Sequence, residues 1–321
     1  METQSNNRLD IKHISEPTKE ILDYIDNRRK GVVKSLRTRW KKFNNTCMGG
    51  IEPNTIITVA GISGSGKSSF VNSLETDLFD LNPNEDFVVL SFSFEMISSK
   101  QVGRKLSYKT RRTTTELYSG VPDKYKPDDN AFEELKKHGE AIQKYPIFYV
   151  DRPGTVEQIR NTIIDFKKKI GNRWLLIMLD HTLLTRGKSG DKERETISDL
   201  QRLFMEVKKW GKTTIIQLSQ LNLNIESPER LNNPSLHYPT RADLFGSDSV
   251  YHASDLIVVL HRPEILFLET YGQNNLPVKD LIYMHVIKNR EGEPKILIFK
   301  NNLKYNSIDE TDLSQINNQN D

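Results

Sequence analysis

Residues 55–69, TIITVAGISGSGKSS, set an apolar, strand-forming run directly against a turn built almost wholly of glycine and serine. The run TIITVA (55–60) is too continuously apolar for a surface strand and reads as one buried on both faces. Gly61, four intervening residues, Gly66, Lys67 and Ser68 then follow at the spacing of a phosphate-binding loop that opens a helix. Side chains this small let successive backbone N–H groups turn inward around a phosphate. Lys67 supplies charge to the β and γ oxygens, and Ser68 offers a hydroxyl to Mg2+. The expected nucleotide-binding set is Gly61, Ser63, Gly64, Ser65, Gly66, Lys67, Ser68 and Ser69. A plain Gly/Ser connection is the competing reading, but it needs neither the Lys-Ser pair nor the strand-to-helix placement. The loop by itself names no function, because kinases, motors and recombinases all share it.

Working outward, apolar runs recur at 87–93 (FVVLSFS), 146–150 (PIFYV), 174–179 (WLLIML), 213–219 (TTIIQLS) and 255–260 (DLIVVL). Helix-like segments at 66–78, 98–107, 155–170 and 193–210 lie between them. Continuous apolar strands alternating with helices predict an α/β fold whose mostly parallel sheet is flanked by helices. Residues 281–288 (LIYMHVIK) and 294–300 (PKILIFK) add a β-hairpin joined through 289–293. Near the start, residues 18–30 (TKEILDYIDNRRK) place Ile21, Leu22 and Ile25 on one face of a short helix, too short for a core of its own. The expected division is a tail and linker helix over 1–30, a main domain over 31–300, and a polar tail over 301–321 with little to bury. Polar stretches at 107–126, 185–194 and 222–249 interrupt the scaffold, and the last is long enough to signal function or mobility.

Composition sets bounds. The 321 residues carry 46 Lys and Arg against 43 Asp and Glu, a net charge of +3, so any nucleic acid must be held by local patches. The single cysteine, Cys47, excludes an intramolecular disulfide framework and a cysteine-rich zinc site, and suits a reducing cytoplasm. No apolar run approaches the about 18–20 residues that span a bilayer, so no membrane role is expected.

A hydrolysing phosphate loop needs a carboxylate near Mg2+ and a group to orient or activate water. Asp180 ends the run WLLIML, where the C-terminal edge of a parallel sheet presents residues to a site, a Walker-B arrangement. Glu95, just past FVVLSFS, fits either a general base or a capping glutamate. Gln220, at the end of TTIIQLSQ, fits either a sensor of the γ-phosphate or a solvated amide.

Taken in order, these pieces resemble the RecA-like core of DnaB-type replicative helicases over residues 30–300. GGIEPNTIITVAGISGSGKSS (49–69) looks like that family's entry to the phosphate loop, SFSFEM (91–96) is similar to its catalytic-glutamate motif, and LLIMLDH (175–181) to its Walker B. IIQLSQLN (215–222) resembles its sensor-glutamine motif and IKNREG (287–292) the hairpin that carries a lysine and an arginine finger. The resemblance implies Lys67 on the phosphates of ATP, Ser68 and Asp180 on Mg2+, Glu95 on the attacking water and Gln220 on the γ-phosphate. Lys288 and Arg290 would reach the ATP of a neighbouring subunit, in a homo-oligomer expected to be a hexameric ring around single-stranded DNA. Without the other motifs, Lys288 and Arg290 read as a solvated hairpin tip.

In that family the loops after the Walker-B and sensor strands line the central channel. The corresponding residues are Arg186, Lys188, Lys192 and Arg194, then TRADLFGSDSVYHASD (240–255). Phe245 stands where the family often has an arginine. Backbone N–H groups of Gly246, Ser247 and Asp248, with Arg241 beside them, remain available to phosphate. The other reading of these charges is a solvated loop. The family's N-terminal primase-contacting domain is not expected, and TKEILDYIDNRRKG (18–31) resembles its linker helix. A phage or mobile-element origin, and a primase or helicase loader as partner, follow from the same resemblance. Two other readings are a RecA/RadA-like recombinase ATPase and a nonmotor ATP-binding loader or scaffold. The intact SFEM, SQLN and KNREG order, with no recombinase polymerisation motif evident, speaks against the first, and the intact Glu95 and Arg290 against the second.

Overall fold

The computed structural model describes residues 11–120, 127–180, 182, 185, 187 and 193–314. In chain order the helices and strands are α1 (Ser15–Arg29), α2 (Lys41–Thr46), β1 (Ile56–Gly61), α3 (Lys67–Leu81), β2 (Phe87–Ser93), α4 (Ser98–Thr110), α5 (Thr114–Tyr118), α6 (Asp129–Ile142), β3 (Ile147–Val150), α7 (Val156–Ile170), β4 (Trp174–Asp180), α8 (Glu193–Val207), β5 (Thr213–Gln220), α9 (Pro228–Asn232), α10 (Ser247–Ala253), β6 (Leu256–His261), β7 (Leu281–Asn289), β8 (Lys295–Asn302) and β9 (Ser307–Thr311). The nine strands form one sheet in the order β3-β2-β4-β5-β1-β6-β7-β8-β9. The six from β3 to β6 run parallel, and β7, β8 and β9 close the far side antiparallel.

The apolar runs become central strands because each side chain finds a hydrophobic layer whichever way it points. In β4, Trp174, Leu176 and Met178 face a core shared with Phe70, Leu74 and Leu78 of α3, Trp40 and Phe43. Leu175, Ile177 and Leu179 face the opposite core, with Ile159 and Ile163 of α7 and Leu200, Leu203 and Phe204 of α8. Period-two alternation thus splits one continuous run between two layers, each fully buried aliphatic or aromatic group contributing about 1.5–3 kcal/mol.

The antiparallel half extends further than expected. Residues 301–321 are not simply a polar tail, since Ser307–Thr311 pairs with β8 as β9 and Ile308 is completely buried. Polar partners explain how so polar a segment is held. Trp40 Nε1 donates to Ile308 O (3.0 Å), and the N–H groups of Lys42 and Phe43 at the start of α2 donate to the Glu310 carboxylate (2.8 and 2.7 Å). That carboxylate satisfies donors a helix start leaves open.

The chain divides into two compact units, Met1–Ser35 and Leu36–Asp321, five residues later than the expected boundary at 30. The reason is local: the N–H groups of Lys30, Gly31 and Val32 fold back on the carbonyls of Asp26, Arg28 and Asn27, and Arg28 donates to Ser35 Oγ (2.9 Å). Within the first unit α1 buries none of its residues, and Ile21, Leu22 and Ile25 are more than half exposed.

Candidate nucleotide site and its flanking loops

The glycines of the phosphate loop are fixed by geometry. A Cβ on Gly61 would stand 2.3 Å from Ser65 Oγ and 2.6 Å from Leu260 O, and Gly64 and Gly66 hold φ of +73° and +102°. Only glycine adopts such angles without strain. Gly66 is the N-cap of α3 and offers no side chain to its first turn, so those N–H groups are left for a ligand. Ser65 Oγ is buried with no hydrogen-bond partner among the described residues. Lys67 Nζ donates to the carbonyls of Gly61 (2.7 Å) and Ile62 (2.8 Å). Burial pushes its ammonium down to about 8, against the pull of Glu95 and Asp180.

Strand register brings the other groups to this loop. Gln220 lies opposite Gly61 in the β5–β1 pair, and Asp180 opposite Ser93 in the β4–β2 pair, two residues before Glu95. Four neighbouring strands therefore deliver the loop, Gln220, Asp180 and Glu95 to one C-terminal edge. Together with Ser63–Ser69, Arg104 and Leu303, they line a cavity of 290 Å³.

Two residues at this site escaped sequence reasoning. Arg104, on α4, lines the cavity. Gln101, one turn earlier, donates to Ser93 Oγ (3.0 Å) and reaches Asp180 Oδ2 (3.4 Å), while Ser93 Oγ donates to Met96 O (2.5 Å). The available signal was the spacing of Gln101 and Arg104, which share a helix face just after the SFEM turn. A second cavity of 710 Å³ shares Leu303 with the first and is lined by Arg262, Lys279, Lys300 and Lys304.

Lys288 and Arg290 stand elsewhere. Leu256 pairs with Ile57 of β1 and with Asn289 of β7, so Arg290 is level with the start of β1, whereas the phosphate loop begins at its end. Five residues of strand, about 16 Å at roughly 3.3 Å per residue, separate the two levels. Arg290 donates to His252 O (2.9 Å) and pairs with Asp255 (3.3 Å), which also holds Lys208 (2.8 Å). Lys288 donates to Tyr251 O, and burial, followed by the nearby Arg290, pulls its ammonium down.

The 222–249 stretch is ordered by specific bonds. Leu221 bridges to Leu244, Asn222 N donates to Asp243 O (2.7 Å), and Phe245 N donates to Gln220 O (3.0 Å). Asp243, fully buried, pairs with Arg230, whose guanidinium also donates to Leu236 O (2.9 Å) and Tyr238 O (2.8 Å). Gly246 has φ of +67° and, as the N-cap of α10, precedes Ser247 and the exposed Asp248. Arg241 pairs with Asp248 (2.7 Å). Of the basic residues expected after Asp180, Arg194 lies in α8, while Arg186, Lys188 and Lys192 fall outside the described residues.

A glycine-rich loop after β1, carboxylates at the ends of β2 and β4 and an amide on β5, all at one edge of a parallel sheet, define a RecA-like P-loop fold. Sequence comparison specifies the family. The chain belongs to the DnaB-like helicase C-terminal domain family, whose sequence model matches residues 35–310. It is 23% identical over 283 residues to the replicative DNA helicase DnaC of Bacillus subtilis, covering 88% of this chain and 58% of that protein. It is 27% identical over 175 residues to the replicative DNA helicase DnaB of Mycobacterium leprae, covering 54% and 27% respectively. The chain thus spans little more than half the length, or less, of these curated relatives. Among solved structures, a separately determined ATPase domain superposes with a TM-score of 0.79 at 18% identity, covering 94% of this chain and 100% of that one. A DnaB-like replicative helicase studied with primase gives 0.74 at 17% identity, covering 96% and 69%. Among the described residues no helix is long and apolar enough to cross a membrane.

Proposed function

We propose that the protein is an ATP-driven helicase that assembles as a ring, hexameric as the family resemblance implies, moves 5′ to 3′ on single-stranded DNA and separates duplex ahead of it. The observation that supports this reading is the division of the chemistry between two edges of one subunit. Phosphate loop, Glu95, Asp180 and Gln220 share one cavity, while Lys288 and Arg290 lie three and five strand residues before the loop, about 10 and 16 Å away. Cations so placed suit a site completed by a second copy.

In this reading Lys67 and the first N–H groups of α3 bind the phosphates of ATP, and Glu95 accepts a proton from the attacking water. Gln220 contacts the γ-phosphate and carries that contact to Phe245 through its own carbonyl. Arg290 and Lys288 of the adjacent copy stabilise charge on the transferring group, a role worth about 10³–10⁵ in rate for arginine fingers. Ser68 and Asp180, which face the same cavity, fit Mg2+, and the ion would neutralise charge on the phosphate oxygens. The 710 Å³ cavity beyond Leu303 gives the nucleoside end room. Arg241 and the N–H groups of Gly246, Ser247 and Asp248 contact DNA phosphates, and the exposed Ile21, Leu22 and Ile25 of α1 pack on a neighbouring copy. A primase or a helicase loader is the partner class, and the cytoplasm the setting, that a replicative role requires.

The test is ATP turnover and oligonucleotide displacement with oligo-dT and mixed-sequence single strands at several salt concentrations. Turnover should rise with either strand, and affinity should weaken with salt as phosphate contacts are displaced. A rate and affinity indifferent to DNA would point instead to the nonmotor module.

A further inference from the structure

We propose that Tyr251 is a positioning residue for Lys288 and Arg290, tying the cations offered to a neighbouring ATP site to the 240–248 loop. The proposal rests on the trans reading above and adds a route by which DNA engagement reaches the adjacent subunit's chemistry.

Tyr251 sits at the meeting point of three segments. Its ring centroid is 4.4 Å from Arg241 Cζ and 4.7 Å from Lys288 Nζ, both inside the range of cation–π attraction. Its carbonyl accepts from Lys288 Nζ, and the next carbonyl, that of His252, accepts from Arg290 (2.9 Å). Asp255, just past the end of α10, completes the hold on Arg290 at 3.3 Å. Three positions at the C-terminal end of α10 therefore fix both trans cations. At its other end, Asp248 pairs with the half-exposed Arg241 at 2.7 Å. A DNA phosphate competes with Asp248 for Arg241, so binding shifts a guanidinium that shares the Tyr251 ring with Lys288. Because α10 is anchored by the buried Val250 and Ala253, the ring and the side chains around it are the parts free to respond.

Ordinary packing is the rival explanation, since Tyr251 also lies against the cluster of Ile257 and Val259. Substitutions separate the two. Tyr251→Leu keeps an apolar side chain and the backbone carbonyl but removes the π face, while Tyr251→Phe keeps the face and loses only the hydroxyl. Tyr251→Leu should bind ATP and oligo-dT and assemble within about twofold of wild type, yet lose roughly two- to thirty-fold of its DNA-stimulated turnover, the range one or two cation–π contacts represent. Tyr251→Phe should match wild type. If Tyr251→Leu fails a circular dichroism check, Tyr251→Met takes its place.

Doping identifies which subunit is affected. Wild-type rings are mixed with Lys67→Ala subunits, with Lys67→Ala/Arg290→Ala subunits, or with Lys67→Ala/Tyr251→Leu subunits, and turnover with oligo-dT is followed. The expected order is greatest loss with the Arg290 double variant, intermediate loss with the Tyr251 double variant and least with Lys67→Ala alone. If the Arg290 variant depresses its neighbours and the Tyr251 variant does no more than Lys67→Ala, the coupling role of Tyr251 is wrong while the trans reading stands. If neither exceeds Lys67→Ala, the trans reading falls and takes the proposal with it. Loss of DNA affinity in Tyr251→Leu, or equal loss of stimulation in Tyr251→Phe, would also overturn it.

Discussion

Glu95 enters the cavity from β2 and Asp180 from β4, and register sets Asp180 level with Ser93, so the two carboxylates occupy adjacent strands and can take different roles. Glu95→Gln keeps the shape and removes the base. It should therefore bind ATP and DNA normally while turnover falls about 10²–10⁴-fold. Filter binding beside a turnover assay checks this, and equal losses in both would make Glu95 structural. Lys67→Ala should instead abolish turnover with an unchanged circular dichroism spectrum, because Lys67 donates only to loop carbonyls. Asp180 was legible because it ends an apolar strand, Glu95 because it follows one within two residues, and Lys67 because of the glycine spacing before it; strand ends in a parallel sheet converge. Arg104 and Gln101 offered only their three-residue spacing: they sit within a helix among other polar residues, and the tertiary placement of α4 is what turns that face to the cavity.

The placement of α4 depends on one buried pair. Lys105 Nζ is bonded to the Glu75 carboxylate of α3, with both side chains almost completely buried, and reaches Asn72 Oδ1 at 3.4 Å. It thereby joins the helix that starts at the phosphate loop to the helix that carries Gln101 and Arg104. Lys105→Met would leave Glu75 charged in a dry site, at a cost of about 3–5 kcal/mol, and should raise the KM for ATP by loosening Arg104. Lys105→Met/Glu75→Leu removes both charges and should recover most of the stability. Urea titration of the two variants checks this, and equal destabilisation would mean that packing volume, not the uncompensated charge, dominates. At this scale the parallel strands were readable from continuous apolar runs. β9 was not, since Ile308 is its one large apolar residue and its support comes from Trp40 and the start of α2, 268 residues away in sequence.

Across the whole molecule, the antiparallel half is closed over a polar core that no local pattern announces. His261 on β6 and His285 on β7 are both buried and share the Tyr271 hydroxyl, at 2.6 Å from Nδ1 of the first and 2.7 Å from Nε2 of the second. The hydroxyl donates to one imidazole and accepts N–H from the other, an arrangement that suits two neutral rings. Burial holds both rings down at about 3, with Arg230 and His237 adding to the effect at His261, and His261 adding to it at His285. The unfolded chain's histidines take up protons below about 6.5, while the folded ones stay neutral, so the unfolded state binds more protons over this window. Stability from this pair is complete above pH 6.5 and is lost as pH falls toward 3, at about 1.4 kcal/mol per unit for each histidine. Between pH 6.5 and 5 the two together should remove about 3 kcal/mol, since the unfolded histidines are only half protonated at the upper end of that window. His285→Gln, which cannot take up a proton, should roughly halve that pH dependence even if its stability at pH 8 is lower. Denaturant titrations of both proteins at half-unit intervals from pH 5 to 8 measure the slopes directly. Parallel slopes would show that the histidines are already protonated in the fold or that other groups control its acid sensitivity.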